Sequence, residues 1–177
     1  RLTTLSDAGS IDLGDGRRLD AFHNPGHAKH HVALVDSQSG DLYTGDAAGV
    51  FVPDTSEVRP ATPPPDFDLD LALDSLALMR ARQPTRLLFS HFGPVTDVEQ
   101  VFDQSEAELR YWVEQVSAAY HQGLDLEHAI VMVKEKDRER HPIFHTDDER
   151  AAKFEELSST RAQVAGIWRW LETTTAE

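Results

Sequence analysis

The 177-residue chain contains no cysteine. That removes disulfides, thiolate nucleophiles and sulfur-ligated metals together, so any bound metal must be held by nitrogen and oxygen. Positive charge is also scarce: 17 Lys and Arg face 31 Asp and Glu, a formal net charge of −14, with no run of basic residues. Such a surface repels phosphate backbones and anionic headgroups, which argues against nucleic acid and membrane partners. No stretch approaches the roughly 18–20 consecutive apolar residues of a bilayer-spanning helix, and the first residues form no signal-peptide pattern. A soluble, cytoplasmic protein is expected. Methionine occurs only at Met79 and Met132, and residue 1 is Arg, so the chain is expected to be the carboxyl-terminal portion of a longer reading frame.

What the chain has in quantity is histidine and amphipathic pattern. Four of its nine histidines, His23, His27, His30 and His31, fall within one short segment. The part before Gly93-Pro94 is rich in Gly, Pro and β-prone runs, and the part after it is built of long helical patterns; this predicts units at 1–94 and 95–177. Arg17–Phe22 reads as a strand after an Asp15-Gly16 turn, and His31–Val35 and Asp41–Thr44 as a hairpin closed by Ser37–Gly40. Val52–Pro65, with five prolines and no periodicity, reads as a surface loop. The spacing of Leu69, Leu73, Leu76 and Met79 predicts a helix over Leu69–Arg82, followed by a buried strand at Arg86–Phe89.

Three helices are predicted beyond Pro94. Thr96 and Glu99 suggest a capping box opening a helix that runs to about His121. Its stripe of Val98, Val101, Phe102, Ser105, Leu109, Trp112, Val113, Val116 and Tyr120 must meet other helices, a second subunit or another segment of the domain. A second helix starts at Asp125 and buries Leu126, Ala129, Ile130 and Val133. A third opens with a Thr146/Glu149 capping box and carries Phe154, Leu157, Val164, Trp168 and Leu171 on one face.

The hairpin places His27 just before one strand and Asp46 just after its partner, at the same end. A crossover through the Leu69–Arg82 helix joins parallel strands, so His91 follows its strand as Asp46 follows the other. Two imidazoles and a carboxylate then converge on one sheet edge, a donor set suited to zinc, iron or manganese, in which a carboxylate can bridge two ions. The remaining histidines have plainer readings: His23 and His30 at strand ends or behind the ligands, and His121, His128, His141 and His145 at the surface. The acidic run Asp66, Asp68, Asp70 and Asp74 reads as a solvated helix start.

The runs His23-Asn24-Pro25-Gly26-His27-Ala28-Lys29-His30-His31, Leu42-Tyr43-Thr44-Gly45-Asp46-Ala47 and Leu88-Phe89-Ser90-His91-Phe92-Gly93 resemble, in order and spacing, the fourth, fifth and sixth motifs of the metallo-β-lactamase superfamily. The resemblance covers about Ile11 to Pro94. It implies an α+β fold, part of an αββα sandwich followed by a helical carboxyl-terminal extension, with His27 binding one metal, Asp46 bridging two and His91 binding the other. His31 corresponds to a second histidine of the fourth motif, structural in the family. The family's H-x-H-x-D-H loop has no counterpart here, so this chain is expected to supply only part of a two-zinc site, with iron or manganese as alternatives.

The function implied is a metal-dependent hydrolase using a hydroxide held between two metals on an ester-, thioester- or lactone-like small molecule. The partners expected are that substrate, the amino-terminal segment of the same domain and a second copy in a homodimer. The alternatives are a one-iron oxygenase of the same superfamily, which would not need His91, and a non-catalytic dimerisation fragment.

Overall fold

Asp15 and Gly16 both take positive φ, 51° and 76°, and turn the chain between β1 (Ser10–Gly14) and β2 (Arg17–His23). β1 is an addition to the sequence reading: Ile11 and Leu13 alternate over too short a span to announce a strand. The computed structural model describes residues 9–145 and 148–175. β3 (Val32–Asp36) and β4 (Asp41–Gly45) form the expected hairpin, and α1 (Leu69–Ala81) crosses over to β7 (Arg86–Phe89). The sheet order is β1-β2-β3-β4-β7, antiparallel except for the β4–β7 pair. Asp68 caps α1, its carboxylate accepting from Leu71 N at 3.0 Å.

Part of the expected Val52–Pro65 loop is ordered. β5 (Val50–Val52) and β6 (Glu57–Arg59) pair antiparallel, with Phe51 opposite Val58. The prolines do not prevent this because Pro53 lies in the turn and Pro60 just past the strand, so none has to donate to the ladder. Residues 60–65 remain an irregular strap.

α2 (Val98–His121) begins without the predicted box: Asp97 is the cap residue and makes no side-chain cap bond. The carboxylate of Glu99 is instead drawn 3.2 Å from Arg80 Nε on α1, an ion pair that outcompetes the turn back to Thr96. At 24 residues α2 is about 36 Å long. Its stripe is consumed within the chain, Trp112 and Phe102 each being 1% exposed. α3 (Leu126–Arg140) starts at the Asp125 cap, which accepts from His128 N at 2.9 Å.

The single third helix is replaced by α4 (Asp148–Leu157) and α5 (Thr160–Thr174). Ser159 breaks the run because its hydroxyl accepts from Ala162 N and starts a new helix there. Thr146, and with it the second predicted capping box, lies outside the described residues.

One face of the large sheet, with Phe22, Ala33, Leu42 and Leu87, is buried in a core continuous with Met79 of α1, Val116 of α2 and Ile167 of α5. The other face presents Ile11, Val32 and Tyr43, between 37% and 43% exposed. Among the described residues no helix is long and apolar enough to cross a membrane.

His141, expected at the surface, is buried. It lies between Glu57 of β6 at 3.1 Å and Glu108 of α2 at 3.3 Å, and Arg140 shares Glu108. The sequence misleads because His141 sits in a charged run whose partners are distant in the chain. Burial pushes its pKa down, but the Glu108 and Glu57 carboxylates outweigh burial and leave it above the ordinary histidine value. A raised folded-state pKa stabilises fully below the unfolded value near 6.5 and is lost as pH rises through the folded value. Urea unfolding of the wild type is therefore expected to lose stability across that window, and His141→Gln to flatten the loss; parallel profiles would remove this role.

Candidate metal centre

Three loops at the carboxyl edge of the sheet build the site. The first runs from β2 to β3 and is pressed onto α1: Ser75 Oγ donates to the Pro25 carbonyl at 2.6 Å, and a Cβ on Gly26 would overlap the backbone of Ala72. This close approach, with Gly26 at φ 118°, fixes the peptide before His27. Asp46 follows β4 and His91 follows β7, and because these strands are parallel their carboxyl ends open on the same edge.

The structure brings His27, Asp46 and His91 together around the carboxylate. His27 Nε2 is 3.7 Å from Asp46 Oδ2, and His91 Nε2 is 3.7 Å from Asp46 Oδ1. Neither is a hydrogen bond. Two donor atoms each about 2.1 Å from one ion stand roughly 3–4 Å apart, so each separation suits a shared ion. The side chains are 18%, 34% and 41% exposed for His27, Asp46 and His91, which makes the His91 side the open one.

Local hydrogen bonding prepares these groups. His27 Nδ1 lies 2.9 Å from the Ala61 carbonyl; since a carbonyl only accepts, Nδ1 carries the proton and Nε2 presents its lone pair to Asp46. His31 Nε2 accepts from Asp46 N at 3.1 Å, fixing the carboxylate's backbone. Burial, reinforced by the neighbouring His27 ring, holds the His31 pKa below its ordinary value, which keeps Nε2 available as an acceptor. Gly45 makes the contact possible. It sits at φ 55°, and a Cβ there would overlap His31 Nε2. Gly45→Ala is expected to cost more than about 1 kcal/mol from the left-handed backbone alone, before the clash; chemical denaturation showing no loss would contradict this.

His23 lies outside the cluster, its Nε2 against the Lys29 carbonyl at 2.6 Å, and His30 is exposed. Asp66, Asp68, Asp70 and Asp74 behave as a helix start, with Asp68 as the cap and Asp66 3.4 Å from Lys29 Nζ. Ala61 is the contributor that sequence reading missed, for a backbone carbonyl leaves no side-chain signal.

The donor set fits a metal as far as it goes. It is nitrogen and oxygen only, the His27 tautomer is correct, and Asp46 Oδ1 is buried without a hydrogen-bond partner. It is also partial: among the described residues no group of three or more His, Asp or Glu is arranged to hold an ion unaided.

Known proteins share the family pattern and the fold. The Metallo-beta-lactamase superfamily model matches residues 3–91. The Metallo-beta-lactamase fold-containing protein ST1585 of Sulfurisphaera tokodaii is 38% identical over 87 residues, 49% of this chain and 31% of its own length. Two solved structures superpose over nearly the whole chain. The metallo-beta-lactamase family protein TTHA1429 of Thermus thermophilus has 21% identity and a TM-score of 0.61, covering 97% of this chain and 49% of its own. A Beta-lactamase domain protein from Burkholderia ambifaria has 18% identity and a TM-score of 0.66, covering 99% and 48%. At these identities the structures establish the fold alone, and they include the helices after Pro94. The chain spans about half the length of these solved structures, and its match covers 31% of the curated relative. With its motifs, sheet edge and family match in agreement, the chain belongs to the metallo-β-lactamase superfamily.

Proposed function

We propose that this chain forms the carboxyl-terminal part of a metal-dependent hydrolase acting on ester-, thioester- or lactone-like small molecules. The observation that carries the reading is the shared carboxylate, one Asp46 oxygen facing each of two imidazoles at 3.7 Å. His27 would hold one ion, His91 the other, and Asp46 both, with zinc the expected metal and iron or manganese compatible with the same donors. Such ions, when bound, lower the pKa of water towards neutrality and polarise a carbonyl. Asp46 would fix the separation of the two positions, and its charge would offset part of the positive charge gathered there. His91 favours this reading over a one-iron oxygenase, which has no need of it.

The remaining ligands are proposed to come from an amino-terminal segment packed on the exposed sheet face. That face presents Ile11, Val32 and Tyr43 together with the Arg17–Asp36 and Arg86–Asp41 ion pairs. A homodimer is proposed as well, although α2 gives little surface for it because its stripe is buried within the chain. The test compares the 177-residue chain with the same chain joined to its upstream coding sequence, each loaded with zinc and offered p-nitrophenyl acetate and a simple lactone. Turnover is expected only from the extended protein. Equal turnover from the short chain would show that no further ligands are needed, and none from either would refute the hydrolase reading for these substrates.

A further inference from the structure

His27 is oriented by an atom outside all three motifs. The Ala61 carbonyl that receives its Nδ1 proton belongs to the strap at 60–65, which has no secondary structure of its own. The strap is held by α5. Thr62, wholly buried, gives its backbone N–H to the side-chain oxygen of Gln163 and its hydroxyl to the Gln163 carbonyl at 3.1 Å. Three residues further along α5, Gly166 lets the helix backbone come against the strap, and a Cβ there would overlap Thr62 O and stand 2.7 Å from Pro63 C. Arg169, three residues further again, donates from Nε to the Pro65 carbonyl at 3.2 Å. The 163, 166 and 169 positions follow the three-residue spacing of one helix face, so α5 meets the strap along its length.

Gln163 is unusual for its place. It is 7% exposed, in a helix whose other buried positions include Val164, Ile167 and Leu171. An amide buried there needs a partner to offset its desolvation, and the partner it has is the backbone adjoining Ala61. Thr62 N and Ala61 O belong to the same peptide group. Fixing the N–H end therefore fixes the direction of the carbonyl at the other end, because the group is planar.

We infer that Gln163, with Gly166 beneath the strap, is a positioning residue for the site: α5 aims the Ala61 carbonyl, and that carbonyl selects the His27 tautomer that turns Nε2 towards Asp46. α5 thereby reaches His27 through the Ala61–Thr62 peptide group. The ligand role of His27 rests on the function proposed above, but its orientation by α5 does not, and the test is run without metal.

Long-range proton–nitrogen correlation spectra of the 177-residue chain, taken where imidazole is neutral, are expected to report His27 as the Nδ1–H form. Gln163→Met removes the acceptor for Thr62 N at similar volume, and Gly166→Ala forces the strap away from α5. In each, the ratio of Nδ1–H to Nε2–H forms of His27 should fall about fivefold, the factor carried by one ordinary hydrogen bond. Arg161→Ala, at an exposed position of the same helix, should leave it unchanged. Amide dispersion checks folding, and should Gly166→Ala not fold, Gln163→Met decides. A wild type in the Nε2–H form, an unchanged ratio in folded Gln163→Met, or an equal fall in Arg161→Ala would each overturn the inference. Loss of turnover in the extended protein would have no bearing on this readout, so the two proposals fail separately.

Discussion

Replacing Asp46 by Asn in the extended protein is expected to lower zinc affinity by more than about a hundredfold and turnover with it. Loss of a residue that merely orients a ligand costs roughly 10–100-fold in affinity or activity. Asp46 has a larger share, for one of its oxygens faces each imidazole at 3.7 Å. Asparagine keeps the shape but replaces one anionic oxygen by an amide nitrogen that has no lone pair to offer, and it removes the negative charge. The fold should be indifferent: the side chain is 34% exposed, and the His31 contact is made by the Asp46 backbone N–H, which asparagine retains. Competition with a zinc-responsive chelator gives the affinity, and urea unfolding of the metal-free protein gives the stability. Unchanged affinity would remove Asp46 as a shared ligand, and a large stability loss without metal would make its role structural.

The largest stability effect is expected at Arg59. Its guanidinium binds the Asp137 carboxylate of α3 through both terminal nitrogens, one bond being 2.8 Å, and the two side chains are 4% and 5% exposed. The same group lies 5.1 Å from the ring centre of Trp112. Charges buried to this degree tolerate loss of a partner badly, since the survivor keeps its desolvation cost without compensation. Arg59→Ala or Asp137→Ala is expected to cost about 3–5 kcal/mol. For a chain of this size that corresponds to a fall in melting temperature of roughly 6–20 °C. The double replacement Arg59→Met with Asp137→Leu should recover much of the loss, because apolar groups of similar volume remove both charges together. If the single variants melt within about 2 °C of wild type, under 1 kcal/mol on the same scale, the pair is not the junction between β6 and α3 that its burial indicates.

These residues show where sequence reading works and where it stops. The β3–β4 hairpin, the α1 crossover and the β7 strand are legible because each follows a local rule: alternation, a Gly-containing turn or a three-and-four spacing. The edge positions of His27, Asp46 and His91 follow from that topology. The Thr96/Glu99 box was equally local and did not form, since Arg80 from another helix offers Glu99 an opposite charge at 3.2 Å. The break at Ser159 was missed because the apolar pattern of α4 continues into α5 in nearly the same phase.

Residue types and local periodicity were enough for the nitrogen-and-oxygen donor chemistry, the β3–β4 hairpin with its α1 crossover to β7, and the three side chains that gather at the sheet edge. These depend on residue identity and on periods of two or 3.6, which neighbouring residues set. Long-range packing alone buries His141 between Glu57 and Glu108, closes Arg59 on Asp137, and sets the Ala61 carbonyl against His27 and Gln163 against Thr62. Each of these joins residues separated by between 33 and 101 positions. Such contacts arise from how packed layers bring charges and peptide groups together, and no local pattern records which distant partner a buried polar group will find.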